Sequence, residues 1–162
     1  MKLIITDIED FNLPIEGECK VIKPQEDIHH CIGCFGCWVK TPGECVIHDG
    51  YEGIGRLMGK CTELIFVCRC YYGSVSPFVK KVQDRAISYA HPDFVIRKGE
   101  LHHKRRYKNV IKISAYFYGE NISDIEKETA KDLLEANADN YDGLVKDVRF
   151  YKSIEEMEGI VL

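Results

Sequence analysis

Four cysteines lie close together in the sequence, with the spacing C-x2-C-x2-C-x7-C: Cys31, Cys34, Cys37 and Cys45. Short spacers allow successive thiolates to converge on one centre, and the glycines between them allow the backbone to fold tightly around it. Four converging sulfur atoms suit a 4Fe-4S cluster or, less typically, zinc. The alternative is a set of reduced, metal-free thiols, partly buried in a loop that packs beside a functional site.

The elements that must position these cysteines follow from the pattern of apolar residues. Helical patterns alternate with apolar runs, which predicts one α/β domain over residues 1–162 with a parallel, doubly wound sheet. Such a sheet binds its ligand at the carboxyl ends of its strands, where the strand order reverses. The runs rich in Ile, Val, Phe and Tyr predict five strands, at Leu3–Ile5, Cys19–Ile22, Glu63–Cys68, Val110–Tyr118 and Leu144–Phe150.

Two predicted helices have recognisable first turns. Ser76 suits the N-cap and Pro77 the first position of one helix. Ser123 and Glu126 form a capping box at the start of the other. The apolar stripe predicted for this second helix consists of Ile125, Thr129, Leu133 and Ala136.

The basic segment 97–108 is interpreted as a solvated loop.

Length and composition exclude several classes of protein. The chain has 162 residues, of which 45% are hydrophobic and 30% charged, as expected for one globular domain with a sizeable core. The apolar run Leu64–Cys68 is far shorter than the roughly twenty residues of a membrane helix. The absence of an export-signal pattern predicts a cytoplasmic protein, in which a disulfide framework is not expected. The net charge of -4 argues against nucleic-acid binding.

The order of motifs resembles that of the flavodoxin-like NADPH-dependent FMN reductases, which include the iron-sulfur flavoproteins. The resemblance covers residues 31–151 and implies a five-stranded flavodoxin-like fold, FMN at the strand ends, reduction by NAD(P)H and commonly a dimer. In that family, members with compact cysteines carry a 4Fe-4S cluster, whereas others with similar cysteines carry none. The motifs that carry the resemblance are Cys31–Asp49, Glu63–Cys68, Tyr71-Tyr-Gly-Ser-Val-Ser76, Lys80 and Asp84-Arg85.

The residues after the third strand are the predicted flavin contacts. An aromatic ring and backbone N–H groups at a strand end can flank an isoalloxazine ring and hydrogen-bond its carbonyls. The alternative is that Tyr72-Gly73 is only a turn and Ser76 only a helix cap. The candidate cofactor-binding residues are Tyr71, Tyr72, Gly73, Ser74, Ser76 and, from the next strand end, Tyr118.

The first strand departs from the family pattern. The family's Gly-Ser-Pro-Arg loop and the helix after it, which hold the FMN phosphate, have no counterpart here. Asp7, Glu9 and Asp10 follow Thr6 instead, and residues 7–18 are too few for a usual connecting helix with its loops. A phosphate dianion beside these carboxylates faces repulsion of about 1 kcal/mol per charge pair. We therefore expect a three-layer sandwich that is shortened at its first β-α unit.

Three functions are consistent with these features. The first is an FMN-dependent NAD(P)H oxidoreductase-like flavoprotein that passes electrons to a small acceptor and forms a homo-oligomer, expected to be a dimer. The second is a non-catalytic flavodoxin-like module, acting as a partner or assembly subunit, whose uncovered sheet face favours oligomerisation. The third is an iron-sulfur or zinc protein without flavin. No catalytic side chain stands out, and neither a nucleic-acid nor a membrane partner is expected.

Overall fold

The computed structural model describes residues 1–25 and 27–162. The strands of its main sheet are β1 (Lys2–Thr6), β2 (Cys19–Ile22), β3 (Glu63–Arg69), β6 (Lys112–Tyr118) and β7 (Leu144–Tyr151). These five strands are parallel and lie in the order β2-β1-β3-β6-β7, which is the flavodoxin-like order with its switch point between β1 and β3. The predicted fold class is therefore confirmed.

The sequence of the central strand β3 does not alternate between apolar and polar residues. Residues Leu64–Cys68 are each at most 3% exposed, because both faces of this strand are covered. In the described residues, four α-helices and two short 3-10 turns accompany the strands. They are α1 (Gly36–Val39), α2 (Ile54–Met58), α3 (Pro77–Arg85), α4 (Asp124–Tyr141) and the turns Ala86–Tyr89 and Glu155–Met157. None of the helices in the described part of the chain has the length and apolar character of a membrane span.

Ser76 and Ser123 occupy the N-cap positions as predicted, but only the Ser123 side chain forms a capping hydrogen bond. The predicted inner face of α4 is wrong. Ser123 Oγ accepts a hydrogen bond from the Glu126 amide, and the Glu126 carboxylate accepts one from the Ser123 amide. However, Ile125 is 77% and Leu133 42% exposed. Apolar residues occupy two adjacent rows of this helix, and the row with small alanines packs closest to the sheet. The buried residues are Ala130, Leu134 and Ala138.

An antiparallel hairpin replaces the solvated loop that we expected in the basic segment. It pairs β4 (Ala90–Arg97) with β5 (Glu100–Arg105), outside the main sheet. Lys98 and Gly99 join the strands with φ angles of 51° and 84°, as a two-residue type I′ turn requires. Several of its apolar residues are exposed, so its strands do not show the buried pattern by which the other strands were predicted.

The two faces of the main sheet are covered differently. Helices α2, α3 and α4 pack on the face that contains Leu3 and Phe66. The opposite face, which contains Ile4 and Ile65, is covered by residues 7–18 and by the final segment 152–162. The connection 7–18 contains no helix, as predicted. Our expectation of an uncovered sheet face is wrong, because these extended segments take the place of a helical layer.

The final segment is fastened to the connection by backbone hydrogen bonds and by a buried side chain. The Leu162 amide donates to the Pro14 carbonyl at 2.9 Å, and the Glu16 amide donates to the Leu162 carbonyl at 2.8 Å. Met157 is fully buried against this face. The segment is thus part of the core.

We expect Met157→Ala to lower the free energy of unfolding by about 2 kcal/mol, because the substitution leaves a cavity under the segment. Urea denaturation measures the change. The matched control is Val161→Ala in the same segment, where the side chain is 59% exposed and a change within about 0.5 kcal/mol is expected. Equal effects at both positions would show that the segment does not cover the sheet.

Candidate functional site

The predicted flavin contacts form a tight turn at the carboxyl end of β3. The Tyr71 amide donates to the Ser74 carbonyl at 2.9 Å, and the Ser74 amide donates to the Tyr71 carbonyl at 2.8 Å. Tyr72 and Gly73 have φ angles of 50° and 75°, again as in a type I′ turn. The Tyr72 side chain is 88% exposed. The turn therefore holds an aromatic ring in solvent beside the switch point of the sheet.

The same turn packs closely on α4. A Cβ atom at Gly73 would lie 2.8 Å from the Thr129 Cβ and 2.9 Å from the Glu126 carbonyl oxygen, so only glycine fits. Ser76 is 2% exposed at the N-cap of α3. Tyr71 and Tyr72 are thus exposed, Ser74 is partly buried, and Gly73 and Ser76 are buried.

Asp7 ties the ends of three strands together. Its Oδ2 accepts a hydrogen bond from the Arg69 amide at 3.1 Å, and its Oδ1 accepts one from the Tyr118 hydroxyl at 3.1 Å. The Cys70 amide also donates to the Tyr118 carbonyl at 2.9 Å. Burial raises the pKa of Tyr118 and the Asp7 carboxylate raises it further, so this hydroxyl remains a donor. The hydroxyl of Tyr118, a predicted flavin contact, is therefore engaged in a hydrogen bond to Asp7.

The FMN phosphate that the fold family implies does not fit this edge of the sheet. Flavodoxin-like proteins bind FMN at the β1/β3 switch point, and backbone N–H groups at a helix N-terminus suit such an anion. Here the segment after β1 is not helical. The Arg69 backbone amide and the Tyr118 hydroxyl already donate hydrogen bonds to the Asp7 carboxylate.

The four predicted metal ligands lie in the cysteine loop, residues 29–49, which includes the short helix α1, but they differ in exposure. Cys31 and Cys34 are exposed, Cys37 is partly buried and Cys45 is buried. Burial raises the pKa of Cys37, and the nearby Cys45, Cys31 and Cys34 raise it further. Four thiols suit a soft metal chemically. However, among residues 1–25 and 27–162 no three His, Cys, Asp or Glu side chains are placed to hold a metal ion. Metal binding at these cysteines stays a prediction.

Arg85 fastens the cysteine loop to α3. Its side chain is fully buried, and its Nε donates to the Cys45 Sγ at 3.1 Å. Its terminal nitrogens donate to both carboxylate oxygens of Asp49, at 2.6 and 3.0 Å, and to the carbonyls of His29 and Ile47. Burial alone would raise the pKa of Asp49, but the hydrogen bonds from Arg85 and from backbone amides lower it to about 2. In the sequence, Arg85 is marked only by the Asp84-Arg85 motif, which does not indicate its ion pair with Asp49.

A cavity of about 690 Å³ lies between the cysteine loop, α3, α4 and the hairpin. Its volume is within the usual range of about 300–1,000 Å³ for small-molecule sites. Trp38 lines it, stacks on Phe35 with ring centroids 5.6 Å apart, and donates its indole N–H to the Ala90 carbonyl. Ser74 and Val75 line the other end, next to the turn described above. All four cysteines of the loop also line this cavity.

The burial of the cysteines predicts their order of reaction with a thiol reagent. We expect Cys31 and Cys34 to react with 5,5′-dithiobis(2-nitrobenzoate) in the folded protein, because they are exposed. Cys61 and Cys68 are each 0% exposed, and burial raises the pKa of both thiols, that of Cys61 to about 11. They should react only after unfolding. Mass spectrometry of partly labelled protein measures the order, and early labelling of Cys68 would contradict the structure.

No family model matches the chain. An iron-sulfur flavoprotein of Archaeoglobus fulgidus is 30% identical to it over 87 residues, which are 54% of this chain. The same residues are 37% of the relative, so the match spans little more than a third of that protein's length. Together with the strand order, this similarity supports a distant relationship to the flavodoxin-like flavoproteins.

Proposed function

We propose that the chain is a redox protein of the flavoprotein class, an oxidoreductase that moves electrons from NAD(P)H to a small-molecule acceptor. One observation carries the proposal: the turn at the switch point and the large cavity share Ser74. A planar ring held against this turn and a small molecule in the cavity would therefore be neighbours. The similarity to a protein named an iron-sulfur flavoprotein supports the same class.

The side chains of the proposed site bind and orient rather than transfer protons. Tyr72 offers an exposed aromatic face, and the reciprocal hydrogen bonds between Tyr71 and Ser74 keep the turn in one conformation. The cavity beside it has mainly apolar walls, which favour an aromatic or aliphatic acceptor over a charged one. A flavin ring supplies the hydride and electron chemistry in proteins of this class.

Flavin binding is the first test of the proposal. Titration with riboflavin and with FMN, followed by quenching of flavin fluorescence, is expected to show saturable binding of at least one of them. Tyr72→Ala should weaken that binding by about tenfold, since it removes the aromatic neighbour of the ring. Phe94→Ala is the control, because Phe94 is also an exposed aromatic residue, 55% exposed, but lies on the hairpin. If neither riboflavin nor FMN binds, the proposal is contradicted.

A non-catalytic partner module is the second candidate function. The observation that favours it is Asp7, whose carboxylate already takes the donors at the strand ends. This candidate predicts that neither flavin binds and that NAD(P)H is not oxidised with any quinone acceptor.

Iron, sulfide and zinc analysis of anaerobically purified protein, before and after Cys34→Ser, tests metal binding by the cysteine loop separately. Cys19→Ser is the control for that variant, because Cys19 lies on β2, outside the cysteine loop.

A further inference from the structure

We infer that Asp7 makes this chain select a flavin without a phosphate group, such as riboflavin, over FMN. The inference rests on the proposed function, because it concerns which flavin the turn after β3 would hold. The residues found at the end of β1 do not match the phosphate site that the fold family implies.

The groups at that edge suit a hydrogen-bond donor better than an anion. The Asp7 carboxylate accepts hydrogen bonds from the Arg69 amide and the Tyr118 hydroxyl, so both donors are in use. The acidic residues Glu9 and Asp10 follow in the same segment and are exposed. A phosphate placed here would meet carboxylates, whereas the terminal hydroxyl of riboflavin can donate a hydrogen bond to one.

Two cationic side chains near this edge, Lys23 and Arg69, contact groups other than the Asp7 carboxylate. Lys23 Nζ donates to the Glu9 carbonyl at 2.6 Å. The Arg69 guanidinium lies over the Tyr71 ring, with its Cζ 5.7 Å from the ring centroid, and its positive charge also reaches the Tyr118 hydroxyl. Neither side chain forms an ion pair with the Asp7 carboxylate, so direct contact does not neutralise its negative charge.

The expected size of the effect follows from charge repulsion. Two unit charges of the same sign, 4 Å apart in water, weaken binding by about fivefold. FMN differs from riboflavin only in its phosphate, which near neutral pH is close to a dianion and would bring about two negative charges to the Asp7 carboxylate. We therefore expect riboflavin to bind at least about tenfold more tightly than FMN at low salt.

The test compares the dissociation constants of riboflavin and FMN for the full chain and two variants. Asp7→Asn should reduce the preference for riboflavin, chiefly by tightening FMN binding. Asp10→Asn is the matched control, because it makes the same change of charge at an exposed residue of the same segment. Raising the salt concentration should also reduce the preference in the unmodified protein, since salt screens exposed charges. This last measurement needs no variant to fold.

Each outcome has one meaning. A preference for riboflavin that falls with salt and with Asp7→Asn, but less with Asp10→Asn, supports the inference. Binding of FMN as tightly as riboflavin by the unmodified protein overturns the inference and leaves the proposed function standing. Equal effects of the two variants also overturn it, because the general acidity of the segment would then be the cause. Binding of neither flavin overturns the proposed function and the inference together.

Discussion

Arg85→Ala is expected to lower the free energy of unfolding by about 3–5 kcal/mol, which is the usual cost of removing one partner of a buried ion pair. The substitution leaves the Asp49 carboxylate without its two guanidinium hydrogen bonds. It also removes the donors to the Cys45 sulfur and to the carbonyls of His29 and Ile47. We expect the loop 29–49 to separate from α3 before the sheet unfolds, because these bonds join the two.

Urea denaturation measures the loss of stability, and limited proteolysis measures the exposure of the loop. Arg56→Ala is the control, because the Arg56 side chain is 57% exposed and its ion pair with Glu44 lies at the surface. Such pairs contribute about 1 kcal/mol or less. If Arg85→Ala and Arg56→Ala had similar effects, Arg85 would not hold the loop.

The ion pair also predicts a dependence on pH. The pKa of Asp49 in the folded protein is lowered to about 2. An unfolded aspartate has a pKa of about 3.9, so this carboxylate stabilises the fold above that pH. Its contribution is lost as the pH falls from about 4 towards 2. We therefore expect the stability difference between the unmodified protein and Arg85→Ala to shrink over this range, as measured by urea denaturation at each pH. A constant difference would contradict the assignment.

The second large effect is expected from Gly73→Ala, which should lower the free energy of unfolding by about 3 kcal/mol. Part of the cost arises because alanine disfavours the φ angle of 75° found there. The larger part arises because its Cβ would lie 2.9 Å from the Glu126 carbonyl oxygen, so that either the turn or the start of α4 must move. Flavin binding should fall together with stability, because the turn is the proposed contact of the ring.

A matched control for this substitution exists in the hairpin. Gly99 occupies the same position of another two-residue turn, with a φ of 84°, and a Cβ there would have no neighbour within 4 Å. Gly99→Ala should therefore cost only about 1 kcal/mol, the conformational part alone. Urea denaturation of both variants separates the two causes. If the two glycines gave the same loss, the close approach to α4 would not contribute.

The elements that the sequence predicted best are those whose cause is local or one-dimensional. The buried run of β3 and the capping box of Ser123 and Glu126 are visible in the order of residues alone. The missing helix after β1 was also predictable, because the length of the connection limits what it can form. These features required no knowledge of which segments become neighbours in space.

The features that could not be predicted depend on contacts between distant segments. Arg85 is separated by 36 residues from Asp49, and an arginine in the last turn of a helix is usually solvated rather than buried. The bond between Asp7 and Tyr118 joins residues 111 positions apart. The choice between the two apolar rows of α4 also depends on which row the sheet can accept. The Asp84-Arg85 motif drew attention to Arg85, and the acidic residues after Thr6 drew attention to Asp7. Neither pattern indicated the hydrogen-bond partner, which is Asp49 for Arg85 and Tyr118 for Asp7.

Trp38 provides an intrinsic fluorescent probe in the wall of the cavity. It is the single tryptophan of the chain, and it lies on the cysteine loop with its ring centroid 4.9 Å from that of His103 on the hairpin. Selective excitation of tryptophan therefore yields an emission signal from this one place in the molecule. Changes of its wavelength or intensity would report events in the cavity or the loop without an added label, and they would remain silent when only the opposite face of the sheet is disturbed.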